Sequence, residues 1–263
     1  MKFVRRHLLT VYAILAFAYL LVPIGVVILF SFNDPAGRFN YTWQGFTLDH
    51  WRNWDGVPGL SNAMVLSIEI ALVASIIATV LGTLIALALV RYGFRGRGAT
   101  NLLIFLPMAT PEIVLGASLL TLFINLNVFL GFTTILIAHI MFCISYIVVT
   151  VKARLIGFDR SLEEAAMDLG ANEWTTFRKV TLPLIAPAIL AGALLSFALS
   201  VDDFVITYFN SGSEITFPLF VWGAARVGAP PQVNVMGTMI FVVAISLMTI
   251  NILLERRREA RTA

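Results

Sequence analysis

The stretch Ser161-Leu162-Glu163-Glu164-Ala165-Ala166-Met167-Asp168-Leu169-Gly170-Ala171-Asn172, followed by Val180 and Leu182-Pro183, is a charged segment set between two long apolar runs. It reads as two short helices at an angle. Ser161 and Glu164, three residues apart, form a capping box that starts the first. Leu162, Ala165, Ala166 and Leu169 recur at the offsets of one helical face, whereas Glu163 and Asp168 point elsewhere. Gly170 suits the left-handed residue that closes a helix. Asn172 caps a second helix through Phe177 and Val180, and Pro183 stops it from outside. A face built on alanines lets another protein come close, and the same pattern also fits an amphipathic helix lying on a bilayer.

The runs on either side set the environment. Of 263 residues, 59% are hydrophobic and 13% charged, against roughly 45–50% and about 25% in soluble domains. Crossing a bilayer takes about 20 apolar residues, and runs of that kind occur at 9–32, 62–90, 100–126, 132–151, 184–208 and 234–254. The expectation is an all-α polytopic membrane protein with six transmembrane helices, one domain over 1–263, and a loop at about 152–184. Lys2, Arg5 and Arg6 precede the first run as in a signal peptide. That run continues from Leu8 to Phe32 without a clear small-residue cleavage site, so it is expected to be kept.

Fifteen of the 18 Lys and Arg residues fall in the N-terminus, the 91–98 loop, the 152–183 loop and the tail; Arg38, Arg52 and Arg226 fall in the alternate segments. The positive-inside rule then puts both termini and the 152–184 loop in the cytoplasm. The net charge of +3 and the pI of about 9.2 follow from this topology and do not signal nucleic-acid binding, because the cations flank spans and form no continuous stripe. In the outer segment 33–60, Trp43, Phe46, Trp51 and Trp54 suit anchoring at the interface or contact with a binding protein. The basic, glycine-rich turn from Arg91 to Gly98 suits a place near anionic headgroups. Pro218, Pro230 and Pro231 rule out one regular helix across 210–234.

No Gly-x-x-x-x-Gly-Lys-Ser/Thr run is present, so energy from ATP must come through a partner. A single cysteine, Cys143, excludes an internal disulfide, and His139 one turn before it makes too small a set for a metal, which favours core packing for both. Four acids lie inside the spans: Glu69, Glu112, Asp202 and Asp203. Each costs on the order of 2.5–3.5 kcal/mol at mid-bilayer, so such groups face a cavity or a partner. With no Lys or Arg at span centres they form a negative set suited to a cation pathway; a neighbouring subunit or protonation are other ways to satisfy them. Ser196, Ser200, Asp203 and Thr207 share one helical stripe, expected to face water or substrate. Asp202 is about 100° away, so the two aspartates diverge unless the helix is interrupted. Glu112 follows Pro107 and Pro111, whose missing donors predict a kink or break. Irregular backbone at membrane depth lines a cavity or is buried in protein, which leaves Glu112 a pathway or a structural hydrogen-bonding role. Glu69, with Asn62 two turns away, fits a gate or an intersubunit contact. Phe204, Tyr208 and Trp222 are available for cation–π attraction or for facing lipid.

The spacing from Glu164-Ala165-Ala166 through Gly170 to Leu182-Pro183, with Val180 where isoleucine is usual, resembles the cytoplasmic coupling loop of type I ABC importer permeases. The stretch Leu199-Ser200-Val201-Asp202-Asp203-Phe204-Val205-Ile206-Thr207 is similar to the permease subunits of spermidine/putrescine importers. So are Leu29-Phe30-Ser31-Phe32-Asn33, Arg91-Tyr92-Gly93-Phe94-Arg95-Gly96, Pro111-Glu112-Ile113-Val114 and the approach from Phe158-Asp159 to Ala171. The likeness covers nearly the whole chain, with Glu112 where an aspartate often stands. It implies the type I importer permease fold in a bacterial inner membrane. It also implies an ATPase dimer gripping Glu164, Ala165, Ala166, Gly170, Leu182 and Pro183, with ATP and Mg used there and no cofactor in this chain. A second permease and an extracytoplasmic solute-binding protein complete the implied assembly, and a polyamine is implied to pass Asp203, Asp202, Glu112, Glu69 and Tyr208. Importers for ferric iron or thiamine share parts of the pattern. A rival reading is a secondary transporter or channel in which the acids are proton or cation sites, active alone and indifferent to ATP. An intramembrane enzyme lacks a His-Asp, Ser-His or metal-ligand constellation in the sequence.

Overall fold

The computed structural model describes residues 2–37 and 39–262, with side-chain surroundings for 7–37, 39–246 and 249. Arg38 and the side chains of Lys2, Arg5, Arg6 and the basic tail lie outside them. The described residues are helical with one isolated bridge between Asn33 and Phe46. The order is α1 (Lys2–Phe30), α2 (Asp49–Arg52), α3 (Leu60–Arg91), α4 (Arg97–Ala109), α5 (Glu112–Asn125), α6 (Phe132–Ile156), α7 (Ser161–Asp168), α8 (Glu173–Thr176), α9 (Leu182–Asp202), α10 (Val205–Asn210), α11 (Phe217–Val227) and α12 (Pro231–Thr262). The chain divides into two compact units, one of residues 1–61 with 221–263 and one of residues 62–220.

In the first unit α1 packs on α12. Asn33, fully buried, organises the segment after α1: its Nδ2 donates to Asn40 Oδ1 at 2.6 Å and to the Thr42 carbonyl at 2.9 Å. Phe32 stacks on Phe46 at 5.6 Å and on Trp51 at 5.3 Å. The aromatics noted in the sequence thus divide, with Trp51 part of a local stack and Trp43 45% and Trp54 41% exposed.

The second unit is built on α6 and α9, which pack most extensively. Ala138, Cys143, Ile147, Val151 and Ile185 are fully buried there, and a Cβ at Gly192 would stand 3.5 Å from Ile147 Cα. Small residues that let two backbones approach are the usual device where lipid removes the hydrophobic drive for helix association. At one end Thr134 Oγ1 donates to the Asn210 carbonyl at 2.7 Å, and the adjoining turn brings Gly212 under Leu130. Gly212 has φ +58, and a Cβ there would lie 2.6 Å from the Leu130 carbonyl oxygen. Gly212→Ala combines left-handed strain of roughly 1–2 kcal/mol with a clash against rigid backbone. A clear loss of thermal stability in detergent is expected; an unchanged melting temperature would refute the turn geometry.

Among the described residues four helices are long and apolar enough to cross a membrane: His7–Phe30, Leu60–Arg91, Phe132–Ile156 and Glu173–Asp202. Two of the six expected runs are not among these four. The run 100–126 is two helices, α4 and α5, meeting at 110°, because Thr110 and Pro111 are extended and Pro111 has no amide to continue the ladder. Taken as one span the pair brings the number to five. The run 184–208 does provide a span, which ends at Asp202 because Asp203 is extended at φ −62, ψ 121. The run 234–254 lies in α12, but beyond Ser246 it falls largely outside the residues whose side chains are described, and Pro231–Ser246 alone is an apolar helix shorter than a span.

Candidate functional site

The charged segment folds as two short helices, with different chemistry at their ends from that expected. Ser161 lies inside α7, so the capping box does not form; Asp159 Oδ1 accepts the Ser161 N–H at 3.0 Å instead. That bond, reinforced by the Ser161 hydroxyl, holds the exposed Asp159 carboxyl below its ordinary range. A depressed carboxyl stabilises the fold above its ordinary pKa and stops doing so as pH falls through the lowered one. Gly170 has φ +88 and closes α7 as expected, with the Gly170 N–H on the Met167 carbonyl at 2.9 Å and the Ala171 N–H on the Ala166 carbonyl at 3.1 Å. These are the paired bonds of a Schellman motif. Asn172 Oδ1 accepts the Thr175 N–H at 2.8 Å and caps α8.

Pro183 does not end the second helix. A π-helical turn, Phe177–Thr181, carries α8 directly into α9, and Pro183 sits in the first turn of α9. The wide turn relaxes the crowding that a proline ring causes against the preceding carbonyl. Glu173–Asp202 is therefore one 30-residue helix. Glu164, Ala165, Gly170 and Pro183 are exposed, and Ala166 and Leu182 half-buried. On the same segment Leu162, Met167, Leu169 and Trp174 are exposed by 48%, 43%, 90% and 68%. An exposed apolar face on a charged segment has the composition of a contact surface for a protein or a bilayer.

Glu163 is the residue sequence reading passed over. It pairs with Arg91 at the end of α3 and accepts the Thr181 hydroxyl, while Arg91 Nη2 lies 3.3 Å from Thr181 Oγ1. The side chains of Arg91 and Glu163 are 30% and 14% exposed. Three elements are thereby joined: the C-terminal end of α3, the first short helix and the π-helical turn.

At the other end of α9 the polypeptide opens around a cavity of about 270 Å³, lined by Pro107, Glu112, Leu115, Phe142, Tyr146, Leu199 and residues 202–206. Asp202 and Glu112 are exposed and line it, as does Asp203, whose side chain is buried; among the described residues no Lys or Arg does. The 110° bend delivers Glu112, and the interruption after Asp202 delivers Asp202. Tyr208 does not line the cavity, being 57% exposed with its ring 5.6 Å from that of Phe204. Trp222, in the other unit, holds the Arg226 guanidinium 4.6 Å over its ring. Glu69 shares an open pocket with Asn62, as the sequence suggested, and also with Ser213 and Glu214.

The polar stripe is turned the other way from expectation. Ser196, Ser200 and Thr207 are 0%, 3% and 0% exposed, and the Asp203 side chain 6%. The Ser196 hydroxyl donates to the Cys143 carbonyl at 3.4 Å, while Ser200, Thr207 and Asp203 meet His139 on α6, which is 1% exposed. Its Nδ1 is 2.6 Å from Ser200 Oγ, and its Nε2 is 3.0 Å from Thr207 Oγ1 and 3.3 Å from Asp203 Oδ2. A Ser-His-Asp arrangement thus exists although the sequence showed none. Its serine is buried, so no acyl group can reach it and the set is structural. His139 and Cys143, whose spacing suits a metal, go to separate partners, the Cys143 thiol lying 3.5 Å from the Ser196 carbonyl.

Apolar helices long enough to cross a membrane, an acidic cavity at one end of α9 and an exposed apolar face at the other end are the features of a membrane transport subunit. The chain belongs to the family of binding-protein-dependent transport system inner membrane components, whose sequence profile matches residues 78–260. It is an ABC importer permease: a transport subunit that crosses the inner membrane more than once, within a system that also needs an ATPase and a binding protein. It is 39% identical over 254 residues to the spermidine/putrescine transport system permease protein PotC of Haemophilus influenzae, covering 96% of this chain and 98% of that one. It is 42% identical over 241 residues to PotC of Escherichia coli, covering 91% and 90%. Identity to the putrescine transport system permease protein PotI of Escherichia coli is 38% over 235 residues, covering 86% and 83%. In fold it is similar to a chain of a bacterial ABC transporter involved in the import of the acidic polysaccharide alginate, with TM-score 0.66 and 19% identity over 95% of this chain and 96% of that one. A chain of the MetNI methionine ABC transporter gives TM-score 0.55 and 15% identity over 74% and 95%.

Proposed function

We propose that this chain is one of two permeases of an ATP-driven polyamine importer and carries spermidine or putrescine past Glu112 and Asp202. The observation that carries the reading is the cavity: it has carboxylates, the aromatic rings of Phe142, Tyr146 and Phe204, and no Lys or Arg. An alkylammonium chain is attracted by the carboxylates and by ring faces together, which a ferric ion or a thiazolium is not in the same proportion. The names of the relatives support the same substrate class.

In this reading the open face of α7 and α8 docks on one of two ATPase subunits, with Glu164, Ala165, Ala166, Gly170, Leu182 and Pro183 at or beside the contact. ATP and Mg are used there. Both termini and this contact lie in the cytoplasm, as the cation distribution supports, and an extracytoplasmic binding protein delivers solute from the other side. Closure of the ATPase dimer moves the α7–α8 pair, the 30-residue helix moves with it, and the cavity opens outward; hydrolysis returns it inward. Asp203, Glu69 and Tyr208 belong to the pathway through their field or at its mouths.

The test is ATP hydrolysis by the reconstituted complex with its binding protein, titrated separately with spermidine, putrescine, ferric iron and thiamine. Stimulation by a polyamine alone is expected. Stimulation by iron or thiamine alone overturns the substrate, and ion-gradient uptake by this chain without ATP overturns the importer.

A further inference from the structure

The carboxylate of Asp203 is almost fully engaged inside the chain. Oδ2 accepts the Thr207 N–H at 2.8 Å and the Thr207 hydroxyl at 2.7 Å, Oδ1 is 3.4 Å from the Ile206 N–H, and His139 Nε2 stands 3.3 Å away. A carboxylate offers about four acceptor sites. One neutral tautomer satisfies the whole set: Ser200 Oγ–H donates to Nδ1, Nε2–H donates to Thr207 Oγ1 and toward Asp203, and Thr207 Oγ1–H donates to Asp203. The donors run in one direction, from Ser200 through His139 and Thr207 to Asp203 Oδ2, so the circuit closes without a ligand.

Its position gives it a task. Asp203 is the extended residue that stops α9, and its carboxylate grips the first turn of α10 while His139 ties that carboxylate to α6. The three elements meeting there set where the helix stops. The residue immediately before the stop, Asp202, is exposed and lines the cavity with Glu112. Rotation of the stop by one residue moves a side chain by about 100°, which takes Asp202 out of the cavity.

We infer that His139 and Asp203 are positioning residues for cation passage: they clasp the interrupted helix so that Asp202, and not Asp203, is presented to the amines of the substrate. The inference rests on the polyamine reading above. A clasp of this kind acts only through Asp202. A trivalent amine depends on the placement of that carboxylate more than a divalent one does, so the clasp sets the ratio of spermidine to putrescine transport and not only the total rate.

The experiment is uptake of each polyamine by the complete complex in proteoliposomes, with variants compared at equal incorporation. His139→Leu is expected to lower spermidine uptake about tenfold and putrescine uptake about threefold. His139→Gln, which keeps a donor near the Nε2 position, is expected to keep the ratio of the unaltered protein. Ser200→Ala, a smaller change that leaves Nδ1 without its donor, is expected to shift the ratio two- to threefold the same way, and it serves where His139→Leu fails to insert. Asp202→Asn shifts the ratio too, and His139→Leu added to it is expected to shift it no further. A ratio unchanged in both His139→Leu and Ser200→Ala, or shifts that multiply in the double variant, would overturn the clasp. Failure of the unaltered complex to take up either polyamine overturns the substrate reading and this inference with it.

Discussion

Uptake of a polyamine is expected to fall about 100-fold when Glu112→Gln and Asp202→Asn are combined, with assembly and ATP-dependent docking intact. The size follows from geometry. A unit charge pair at about 4 Å is worth up to roughly 4 kcal/mol at the effective dielectric of a protein surface, and desolvation removes much of that. A residue of about 1.4 kcal/mol per carboxylate is a factor of ten each. Both side chains line one cavity without a basic neighbour, and the third carboxylate there, Asp203, is buried and bonded to Thr207. Each single substitution should cost about tenfold. Initial uptake rates in proteoliposomes decide it, and a double variant within threefold of the unaltered rate would remove the cavity from the pathway.

The second large effect concerns transmission. Glu163→Arg places a cation against Arg91 in a partly enclosed site, and Thr181 loses the acceptor for its hydroxyl. Breaking a fully buried pair costs about 3–5 kcal/mol; with Arg91 nearly a third exposed the cost is closer to about 2. The α7 helix then loses its tie to α3. Uptake is expected to drop at least tenfold, and ATP hydrolysis is expected to lose its response to the loaded binding protein. Adding Arg91→Glu restores opposite charges in exchanged positions and should recover part of both. Equal stimulation in the single variant and the unaltered complex, measured as ATPase rate with and without substrate, would show that the tie plays no part in coupling.

Composition and punctuation were enough to read the helical membrane character, the break before Glu112, the left-handed Gly170 and the Asn172 cap, because each depends on residues adjacent in the chain. What escaped depends on residues far apart. Glu163 looks like a solvated charge on α7 until α3 brings Arg91 to it, across 72 positions. His139 looks like core packing until α9 and α10 bring Ser200, Thr207 and Asp203 around its ring, 61 to 68 positions away. The same blindness misdirected the polar stripe. Helical offsets show that Ser196, Ser200, Asp203 and Thr207 belong together, but not whether the face they share meets water or another helix. Proline is ambiguous for the same reason: Pro183 reads as a stop from its neighbours alone, whereas a helix tolerates proline in its first turn when the turn before it is wide.

The continuous helix from Glu173 to Asp202 makes the two ends of the protein parts of one lever. At 1.5 Å per residue its 30 residues span about 45 Å, so a tilt of only about 5° carries one end roughly 4 Å relative to the other. That is the scale on which an ammonium group is either in contact with a carboxylate or separated from it by water. In the proposed transport cycle no change inside the cavity is then required to alter its grip on a cation; the stroke would be set by how far the opposite end is pulled.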